Sequence, residues 1–589
     1  KLELWTRNRF QPDVLLSKTP DDICSTPIMK ICADGAKTTS RLLFSGCREP
    51  GKYRIRVKED PDGEKADVYG SLRYFISVAD VAVFWYEHPD NLKDEDGQPG
   101  AELFKTYHFE VFDTIDNTVV HTAEFQLYRA PVMMMHGLWA EGQSTFLEMR
   151  KALILSGFGK ASLSFAHNYP NDVPFGSNRQ AAMNGIKGAV MQAVKYGFST
   201  SRVNVVGHSM GGLLTRMFIQ SDDYENDICR FITLNSPHSG TQVAILLDEI
   251  LKVYPNLIYA LIFLDKHYQG AVQDLRSDGA SFWDKEGGLN GDRLNRYVVP
   301  SHVIQTHSTI QSTLGWNYVV LMILSKALKI PITAGVNGMD YFLTHILYKE
   351  QHDLIVPLSS QKGGCERGTV IPFQWHSSTE NTALINKVIQ LLRLDPDNDQ
   401  FSQKGFEPEK LDYNFIPDFL LPTASGTVNI VSPASGSVFK PGDQLDVQIQ
   451  GTGSVSENLF FAGSSTAGLF TDSKENQSSV FEYTIPPDAF GKIFLSAFGS
   501  GDEGFLGFDT AYILVSPDAE LTGMAASPNP VSVHVGETIS ISVTGYFSDS
   551  LDRSLLDHPD LLFGLANPAA MMSSWVMLWP VRCWISAPL

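Results

Sequence analysis

The segment Val203–Gly212, VNVVGHSMGG, constrains the fold of this chain more than any other stretch. A run of strand-forming residues stops at a Gly-x-Ser-x-Gly motif, and a helix-like segment follows directly. Such a turn is so sharp that the residues two before and two after Ser209 must be small, which Gly207 and Gly211 satisfy. The pattern predicts a strained strand-to-helix turn that holds the Ser209 hydroxyl above a sheet. An ordinary glycine-rich turn with an incidental serine is the alternative.

The region around this motif alternates between short apolar runs and helix-like stretches. The apolar runs read VMMMHG, ASLSFAHN, VNVVGHS, FITLNSP, HVIQTH and GTVIPFQWH. Helix-like stretches lie at 145–156, 179–196, 210–220 and 379–392, and the first opens with a Thr145/Glu148 capping box. Alternating strands and helices of this kind build a parallel sheet covered by helices. We therefore predict a central α/β domain over residues 129–393.

Two connections in this domain are too long to be simple loops. They lie on either side of HVIQTH and carry the apolar helical segments QVAILLDEILKVYPNLIYALIFL and NYVVLMILSKALKI. We predict that they form a helical cap over about 241–350 at the edge of the sheet. Its apolar side chains either pack on the sheet, or line an acyl-chain pocket or a lid that opens at a lipid surface.

The flanking regions predict β-structure. Residues 1–128 contain short alternating runs, such as YHFEVFDT, separated by clusters of Gly, Pro and Asp. Residues 394–427 are polar and proline-rich, which indicates a linker. A second β-sandwich pattern covers 428–516, and a third, incomplete one covers 517–589 and loses its alternation beyond about Leu565. The prediction is a multidomain chain with an α/β core flanked by β-sandwich domains.

Charge and hydropathy narrow the possible partners. The net charge is −20, and because an acidic chain gains nothing from phosphate backbones, no nucleic acid is expected. The longest apolar stretch, Val243–Leu264, contains Asp248, Glu249 and Lys252, so it is not predicted to span a membrane. The chain begins with Lys and shows no leader pattern, so we expect a processed protein that is secreted or on the cell surface.

No metal or cofactor is predicted. Neither C-x-x-C nor H-E-x-x-H occurs in the chain. Asp395, Asp397 and Asp399 alternate as calcium-loop ligands do, but the glycine and glutamate of such a loop are missing, so a solvated linker is expected. Three of the six cysteines lie near the N-terminus, where one pair could form a disulfide: Cys24, Cys32 and Cys47.

A second candidate element is VMMMHGLWAEG, where a buried strand ends in His136, Gly137 and Leu138. In an acyl-transfer enzyme the Leu138 amide would lie opposite the amide of Met210. Two such donors form an oxyanion hole, and the loss of one typically raises the barrier by about 3 kcal/mol. His136 is predicted to shape this loop and not to act as a base.

The remaining candidates follow the cap. Asp353, in HDLIVPLSSQ, suits a residue fixed in a strand-end loop, whereas Asp340 lacks a following strand-like frame. His376 ends the last apolar run and precedes an amphipathic helix, which is where a base that reaches the serine would lie. His307 and His345 are poorer candidates because they lie beside or within the second half of the cap. A surface carboxylate and a structural histidine are the alternative readings.

The chain order Ser209, Asp353, His376 is the order found in α/β-hydrolases. The elements HGLW, GHSMGG, NSPHSGT and HDLIVPLSSQ resemble those of lipases similar to the GPI inositol-deacylase and lecithin:cholesterol acyltransferase relatives. Within GHSMGG, Gly207, His208 and Gly211 correspond to the nucleophile elbow. The resemblance covers about 130–393. The flanks resemble bacterial immunoglobulin-like modules through PGDQLDVQI and VHVGETISISVTG.

The resemblance implies a lipase or esterase that works through an acyl-enzyme. His376 would take the Ser209 proton, Asp353 would hold the imidazole, and the two amides would bind the oxyanion. No cofactor is needed, and the substrate would be a small-molecule or lipid ester, with lipid-surface contact through the cap as an option. An amidase, peptidase or acyltransferase with the same triad stays open. So does a surface adhesin or glycan-binding array in which the sandwiches carry the function. The sequence gives no oligomeric state.

Overall fold

A computed structural model gives the fold of the chain. It describes residues 2–18, 29–43, 50–78, 81–100, 102–158, 163–253, 270–308, 350–410, 426–464, 468–487, 489–501, 504–527, 542–548, 552–554, 562–565 and 583–586. The described residues fall into two compact units. Unit 1 comprises those within Lys1–Ile245, Gln269–Ser312 and Leu343–Tyr413, and unit 2 comprises those within Leu246–Tyr268, Thr313–Phe342 and Asn414–Leu589.

The N-terminal part of unit 1 is built from β-strands. Their bounds are β1 Leu2–Asn8, β2 Gln11–Lys18, β3 Met29–Ala33, β4 Lys37–Leu43, β5 Tyr53–Val57, β6 Ser71–Val78, β7 Val81–Glu87, β8 Phe104–Asp113 and β9 Val119–Arg129, with a short helix α1 at Ala66–Tyr69. One sheet has the order β2-β1-β4-β7-β6, and a second contains β3-β9-β8-β5. Tyr86 of the first sheet packs edge-on against Phe109 and Phe125 of the second. The two sheets therefore share one hydrophobic core; their immunoglobulin-like classification stays a prediction.

The central part of unit 1 is an all-parallel six-stranded sheet. The strands that follow β9 are β10 Val132–Met135, β11 Ser164–His167, β12 Phe198–Ser199, β13 Val203–His208, β14 Ile228–Leu234, β15 Ser301–His307 and β16 Gly368–Pro372. The sheet order is β11-β10-β13-β14-β15-β16, and every neighbouring pair is parallel. The six apolar runs of the sequence are these six strands, which confirms the predicted parallel sheet. Strand β12 instead pairs with β3 and extends the second N-terminal sheet.

Helices alternate along the chain with the strands of the central sheet. Their bounds are α2 Gly142–Thr145, α3 Leu147–Leu155, α4 Ala181–Lys195, α5 Met210–Ile219, α6 Gln242–Val253, α7 Ala271–Asp274, α8 Ala280–Trp283, α9 Leu358–Lys362 and α10 Thr382–Arg393. Met149 of α3 and Leu384 and Val388 of α10 pack with Val206 and Ile304 of the sheet in one buried cluster. None of the described helices is long and apolar enough to cross a membrane.

The predicted capping box at Thr145 is wrong. Thr145 ends α2, and the residue that precedes α3 is Phe146, which provides no side-chain cap. The carbonyl of Thr145 accepts a hydrogen bond from the Thr379 hydroxyl at 2.6 Å. The helical region therefore begins at Gly142, before the predicted start, and is interrupted at Phe146.

The first part of the predicted linker over 394–427 packs on unit 1. Phe401 and Phe406 are almost completely buried, and Ser402 pairs with Ser301 at the start of β15. The Asp395 carboxylate pairs with Lys93 at 2.8 Å. Residues 394–410 therefore differ from the solvated linker expected from their polar composition. The two buried phenylalanines hold this segment against the rest of unit 1. Residues 411–425 lie outside the described part of the chain.

Much of the predicted cap also lies outside the described residues, including Asp340 and His345. The described parts of 241–350 are α6, α7, α8 and the connection that leads into β15. The assignment of these segments to a cap stays a prediction.

Apart from Leu246–Val253 of α6, the regular structure of unit 2 consists of β-strands among its described residues. They are β17 Val428–Ser432, β18 Ser437–Phe439, β19 Gln444–Gly451, β20 Glu457–Ser464, β21 Gly468–Lys474, β22 Ser478–Thr484, β23 Gly491–Gly501, β24 Gly504–Val515, β25 Leu521–Ser527, β26 Ser542–Phe547, β27 Asp552–Ser554, β28 Leu562–Leu565 and β29 Cys583–Ser586. The sheets β17-β19-β22 and β18-β24-β23-β20-β21 share one core that includes Val447, Phe460 and Ile493. In β19 buried and exposed residues alternate strictly, as expected for a strand with one core-facing side. The immunoglobulin-like identity of this region stays a prediction.

Candidate active site

Ser209 occupies the sharp turn between β13 and α5. Its backbone has φ 53° and ψ −126°, a left-handed conformation that costs a non-glycine residue about 1–3 kcal/mol. A Cβ on Gly207 would lie 2.6 Å from the Gly212 Cα, and a Cβ on Gly211 would lie 2.2 Å from the Met135 carbonyl oxygen. The turn therefore requires glycine at both positions, as the sequence motif suggested. It places the serine at the N-terminus of α5, where the helix dipole favours negative charge.

The side chains of Ser209, His376 and Asp353 form a continuous chain of hydrogen bonds. The distance from Ser209 Oγ to His376 Nε2 is 2.8 Å, and that from His376 Nδ1 to Asp353 Oδ2 is 2.6 Å. All three residues are buried, with exposed fractions of 6%, 6% and 0% in that order. A carboxylate only accepts, so Nδ1 carries the proton and Nε2 accepts from the serine hydroxyl. The imidazole is thus held in the tautomer that a general base needs.

The loop that follows Asp353 wraps around its carboxylate. Asp353 Oδ1 accepts hydrogen bonds from the amides of Ile355 at 3.0 Å and Val356 at 2.7 Å. The backbone of Leu354 is left-handed, with φ 77°. One carboxylate oxygen is therefore fixed by backbone amides and the other is left to the imidazole.

The main chain of His376 is held by two side chains that donate to its carbonyl oxygen. His208 Nε2 lies 2.8 Å from this oxygen and Asn235 Nδ2 lies 2.9 Å from it. Burial, together with the nearby His376, lowers the pKa of His208 to about 3, so His208 is neutral. Asn235 Oδ1 in turn accepts from the Thr306 hydroxyl at 2.9 Å. Sequence reasoning took the segment NSPHSGT only as a family marker and missed the role of its first residue.

The loop after β10 passes directly over the serine. A Cβ on Gly137 would lie 2.6 Å from Ser209 Cβ and 3.0 Å from Ser209 Oγ. Burial lowers the pKa of His136 to about 4, and the neutral ring donates through Nδ1 to the Gly137 carbonyl at 3.0 Å. His136 thus lies under the loop, in the packing position that the sequence suggested. Leu138 follows in the loop and is half-buried.

The other histidines considered from the sequence lie elsewhere. His238, in NSPHSGT, is fully buried beside Arg216, and its Nδ1 lies 3.2 Å from that guanidinium. His307 ends β15, and its ring centroid is 6.2 Å from that of Phe373. Within the described part of the chain, no cluster of three His, Cys, Asp or Glu residues is arranged to hold a metal. Cys32, Cys229 and Cys365 are free and buried, and Cys24 and Cys47 lie outside the described residues.

Comparisons with known proteins agree with a hydrolase core. Residues 131–286 match the family model described as palmitoyl protein thioesterase. Together with the parallel sheet, this match supports an α/β-hydrolase of the lipase and esterase kind. The more specific similarity to GPI inositol-deacylase and lecithin:cholesterol acyltransferase relatives stays a prediction.

Several solved structures are similar to this chain. The mature lipase BlEst2 from Bacillus licheniformis is 18% identical, with a TM-score of 0.31, 45% of this chain covered and 91% of that chain. The phospholipase PlaB from Legionella pneumophila is 12% identical, with a TM-score of 0.33 and coverages of 66% and 92%. An extracellular α/β-hydrolase from a Paenibacillus species is 22% identical, with a TM-score of 0.16 and coverages of 22% and 52%.

Proposed function

We propose that this chain hydrolyses carboxylic esters, with Ser209 as the nucleophile, His376 as the general base and Asp353 as the residue that orients it. The observation that carries the proposal is the hydrogen-bond chain of 2.8 Å and 2.6 Å that ends on a serine at a strained turn. A serine hydroxyl is a weak nucleophile at neutral pH, and an adjacent oriented imidazole is the usual way to activate it.

The chemistry takes two steps. His376 Nε2 accepts the hydroxyl proton while Ser209 Oγ bonds to the ester carbonyl carbon, and Asp353 stabilises the imidazolium that forms. The tetrahedral intermediate collapses as the bond to the alcohol breaks and the imidazolium protonates the leaving oxygen. Water then enters, gives a proton to the imidazole and attacks the acyl carbon of the acyl-serine. The bond between this carbon and Ser209 Oγ breaks, the imidazolium returns its proton to Oγ, and the acid is released.

Two backbone amides are proposed to stabilise the oxyanion. Met210 is the first residue of α5, so its amide lies at the positive end of the helix dipole. Leu138 lies one residue beyond Gly137, which packs against the serine. Among the described residues, the Leu138 amide donates to no backbone or side-chain acceptor, so it is available to a developing negative charge. Donors fixed in advance stabilise that charge without any reorganisation.

The loops that carry His376 and Asp353 each expose an apolar side chain, which favours an acyl group with apolar character. Phe373 starts the loop that carries His376, has a left-handed φ of 61°, and leaves 74% of its side chain exposed. Ile355, in the loop of Asp353, is 36% exposed. Thioester hydrolysis is the second candidate, because the matching family is described by it and because the same acyl-enzyme serves thiol leaving groups. Amides, acyl transfer and a binding role for the β-regions stay open alternatives, as does secretion.

The test compares p-nitrophenyl esters from acetyl to palmitoyl with palmitoyl-coenzyme A, using the full chain and its Ser209→Ala variant. We expect ester hydrolysis that the substitution lowers by at least about 10⁴-fold, since loss of the nucleophile removes the acyl-enzyme route. Ser164→Ala is a matched control, because Ser164 is a buried serine on the same sheet whose hydroxyl has no hydrogen-bond partner among the described residues. Full activity in Ser209→Ala, or an inactive but folded wild type, would overturn the proposal.

A further inference from the structure

A short segment after β11, Asn168–Asp172, contains two residues that contact the loop that passes over Ser209. The segment reads NYPND and was not singled out from the sequence. Two of its side chains, those of Tyr169 and Asn171, make hydrogen bonds to the backbone of the loop on either side of Leu138.

The orientation of the Leu138 amide is tied to the carbonyl of the preceding residue. The Gly137 carbonyl and the Leu138 N–H belong to one planar trans peptide, so they point in opposite directions. Because His136 Nδ1 holds the Gly137 oxygen, it also limits the direction of the Leu138 N–H. Gly137 has no side chain of its own to fix this peptide, so the loop depends on its neighbours for a single conformation.

Tyr169 holds the loop before Leu138. Its hydroxyl donates to the His136 carbonyl at 2.6 Å, and its ring stacks on the His136 ring with centroids 4.5 Å apart and an interplanar angle of 22°. Both residues are buried. The His136 ring holds the Gly137 carbonyl, and His136 is itself held by Tyr169. The Tyr169 ring stacks on the face of the imidazole, and the Tyr169 hydroxyl binds the His136 main chain.

Asn171 holds the loop after Leu138. Its Oδ1 accepts from the Trp139 amide at 2.5 Å, and its Nδ2 donates to the Ala140 carbonyl at 2.7 Å. Trp139 has a left-handed backbone, with φ 54°, which a bulky residue adopts only where its surroundings enforce it. A primary amide contains both a donor and an acceptor. The Asn171 side chain therefore pairs with the N–H before and the carbonyl after this strained turn, those of Trp139 and Ala140.

We propose that Tyr169 and Asn171 are positioning residues that set the direction of the Leu138 amide toward the oxyanion, an inference that rests on the proposed ester hydrolysis. They bracket the peptide from both sides and do not touch the reacting atoms. Displacing such a donor by about 1 Å typically costs on the order of 10²-fold in rate. The effect falls on the transition state, since only there does the carbonyl oxygen carry the charge that the amide stabilises.

The experiment compares Asn171→Ala and Tyr169→Phe with Asn168→Ala in the full chain. Asn168 is the matched control because it lies in the same segment and its Oδ1 also accepts a backbone amide, that of Gly142 at 2.6 Å, at the start of α2. Three quantities are measured: kcat and KM on the best p-nitrophenyl ester, the inhibition constant of a trifluoromethyl ketone with the same acyl chain, and the thermal midpoint. The ketone forms a tetrahedral adduct with the serine and so reports oxyanion binding directly.

We expect Asn171→Ala to lower kcat about 30- to 100-fold with KM within about twofold, and to weaken the trifluoromethyl ketone by a similar factor. Tyr169→Phe should lower kcat about 5- to 10-fold, because the ring stack remains and only one hydrogen bond is lost. Asn168→Ala should keep kcat within about twofold. A loss of thermal stability alone, without these changes in kcat and in inhibition, would point to a purely structural role and overturn the proposal.

The failure of this inference differs from the failure of the proposed function. If the wild type shows no Ser209-dependent hydrolysis, the ester-hydrolase proposal itself fails. If the wild type is active and Asn171→Ala and Asn168→Ala have equal kcat and equal inhibition constants, only the positioning role is wrong.

Discussion

Unit 1 contains two buried aspartate–histidine pairs of nearly identical geometry in different surroundings. Asp353 and His376 are 2.6 Å apart at the carboxyl ends of the central strands, and Asp34 and His88 are 2.7 Å apart in the N-terminal part. In the first pair the second imidazole nitrogen contacts the Ser209 hydroxyl. The first pair therefore joins a chain of proton donors and acceptors that ends on Ser209, the proposed nucleophile.

The second pair is surrounded by structural donors. Asp34 accepts from the Thr200 hydroxyl at 2.9 Å, from the Ser201 amide at 2.9 Å and from the Ala36 amide at 3.0 Å. Burial by itself raises the pKa of Asp34, but the charge of His88 and these hydrogen bonds outweigh it and hold the pKa below its ordinary value. Thr200 follows β12, the strand that joins the N-terminal sheet. This carboxylate thus fastens the α/β part of unit 1 to its N-terminal part.

The comparison shows that a short aspartate–histidine bond does not by itself indicate catalysis. What sets the first pair apart is its third member, a serine held in a strained conformation beside candidate oxyanion amides. A strained serine and an unused backbone amide lower the stability of the folded protein. A carboxylate such as that of Asp34, which accepts several hydrogen bonds, raises it. The two pairs should therefore respond in opposite ways to equivalent substitutions.

The largest expected difference comes from replacing each histidine by alanine. His376→Ala should lower kcat by about 10⁴-fold or more with little change in the thermal midpoint, because its role is in the reaction. His88→Ala should leave kcat within a few-fold but destabilise unit 1 by about 3–5 kcal/mol, because it leaves the Asp34 charge buried without its partner. Ester hydrolysis and thermal unfolding of both variants check this. A loss of activity in His88→Ala at temperatures where this variant is folded would contradict the purely structural role expected for the Asp34–His88 pair.

Replacing the carboxylates gives the next largest effect. Asp353→Asn keeps the shape but favours the wrong imidazole tautomer, so kcat should fall by about 10³- to 10⁴-fold. Asp34→Asn should instead lower the thermal midpoint, since an amide oxygen binds the donors of this site less strongly than a carboxylate does. The measurement is a pair of kcat values at saturating ester and a pair of melting curves. Equal losses of kcat in the two variants would show that the pairs are not functionally different.

The first pair could be predicted from the sequence and the second could not. Asp353 and His376 follow apolar runs in the chain order that an α/β-hydrolase requires, so local pattern and topology together suggest them. Asp34 and His88 carry no such signal, because the donors that surround Asp34 lie just after β12, a two-residue strand between α4 and β13. Their catalytic or structural roles stay predictions until variants are measured.

The same limit applies to the side chains that hold the site. Asn235, Tyr169 and Asn171 act through bonds to backbone atoms that are distant in sequence, and such bonds leave no periodicity to detect. The six parallel strands were predictable because a strand buried on both faces reads as an apolar run. Residues 394–410 were misjudged because Phe401 and Phe406 are too few to offset a polar composition.

The pH dependence of stability is predicted from three histidines at the carboxyl ends of neighbouring central strands, namely His136, His167 and His208. Burial lowers the pKa of His136 and of His167 to about 4 and that of His208 to about 3. Below pH 6.5 the unfolded chain binds protons at these positions and the folded chain does not, so stability falls as the pH drops from 6.5 to about 4. At pH 5 each contributes a loss of about 1–2 kcal/mol.

Thermal midpoints measured between pH 7.5 and pH 5 check this, with Asp34 as an internal contrast. The lowered pKa of Asp34 means that its contribution to stability is lost only as the pH falls below its ordinary value of 3.8. As the pH falls, stability should therefore be lost first through His136, His167 and His208. The Asp34–His88 pair should lose its contribution only in stronger acid. A midpoint that stays constant down to pH 4.5 would contradict the neutral, buried state of these histidines.

The smallest expected effect concerns how the main chain of each histidine is held. The His88 amide donates to the Ala36 carbonyl at 2.8 Å, whereas the His376 carbonyl accepts from the side chains of His208 and Asn235. Because these two donors share one acceptor, each can partly replace the other.

We expect His208→Phe and Asn235→Gly each to lower kcat about 3- to 10-fold. Glycine is chosen at position 235 because this residue has a left-handed φ of 54°. The double variant should lose more than the product of the single losses, because the His376 loop then has neither side-chain donor. Purely multiplicative losses in this double-mutant cycle would mean that the two bonds act independently and that neither replaces the other.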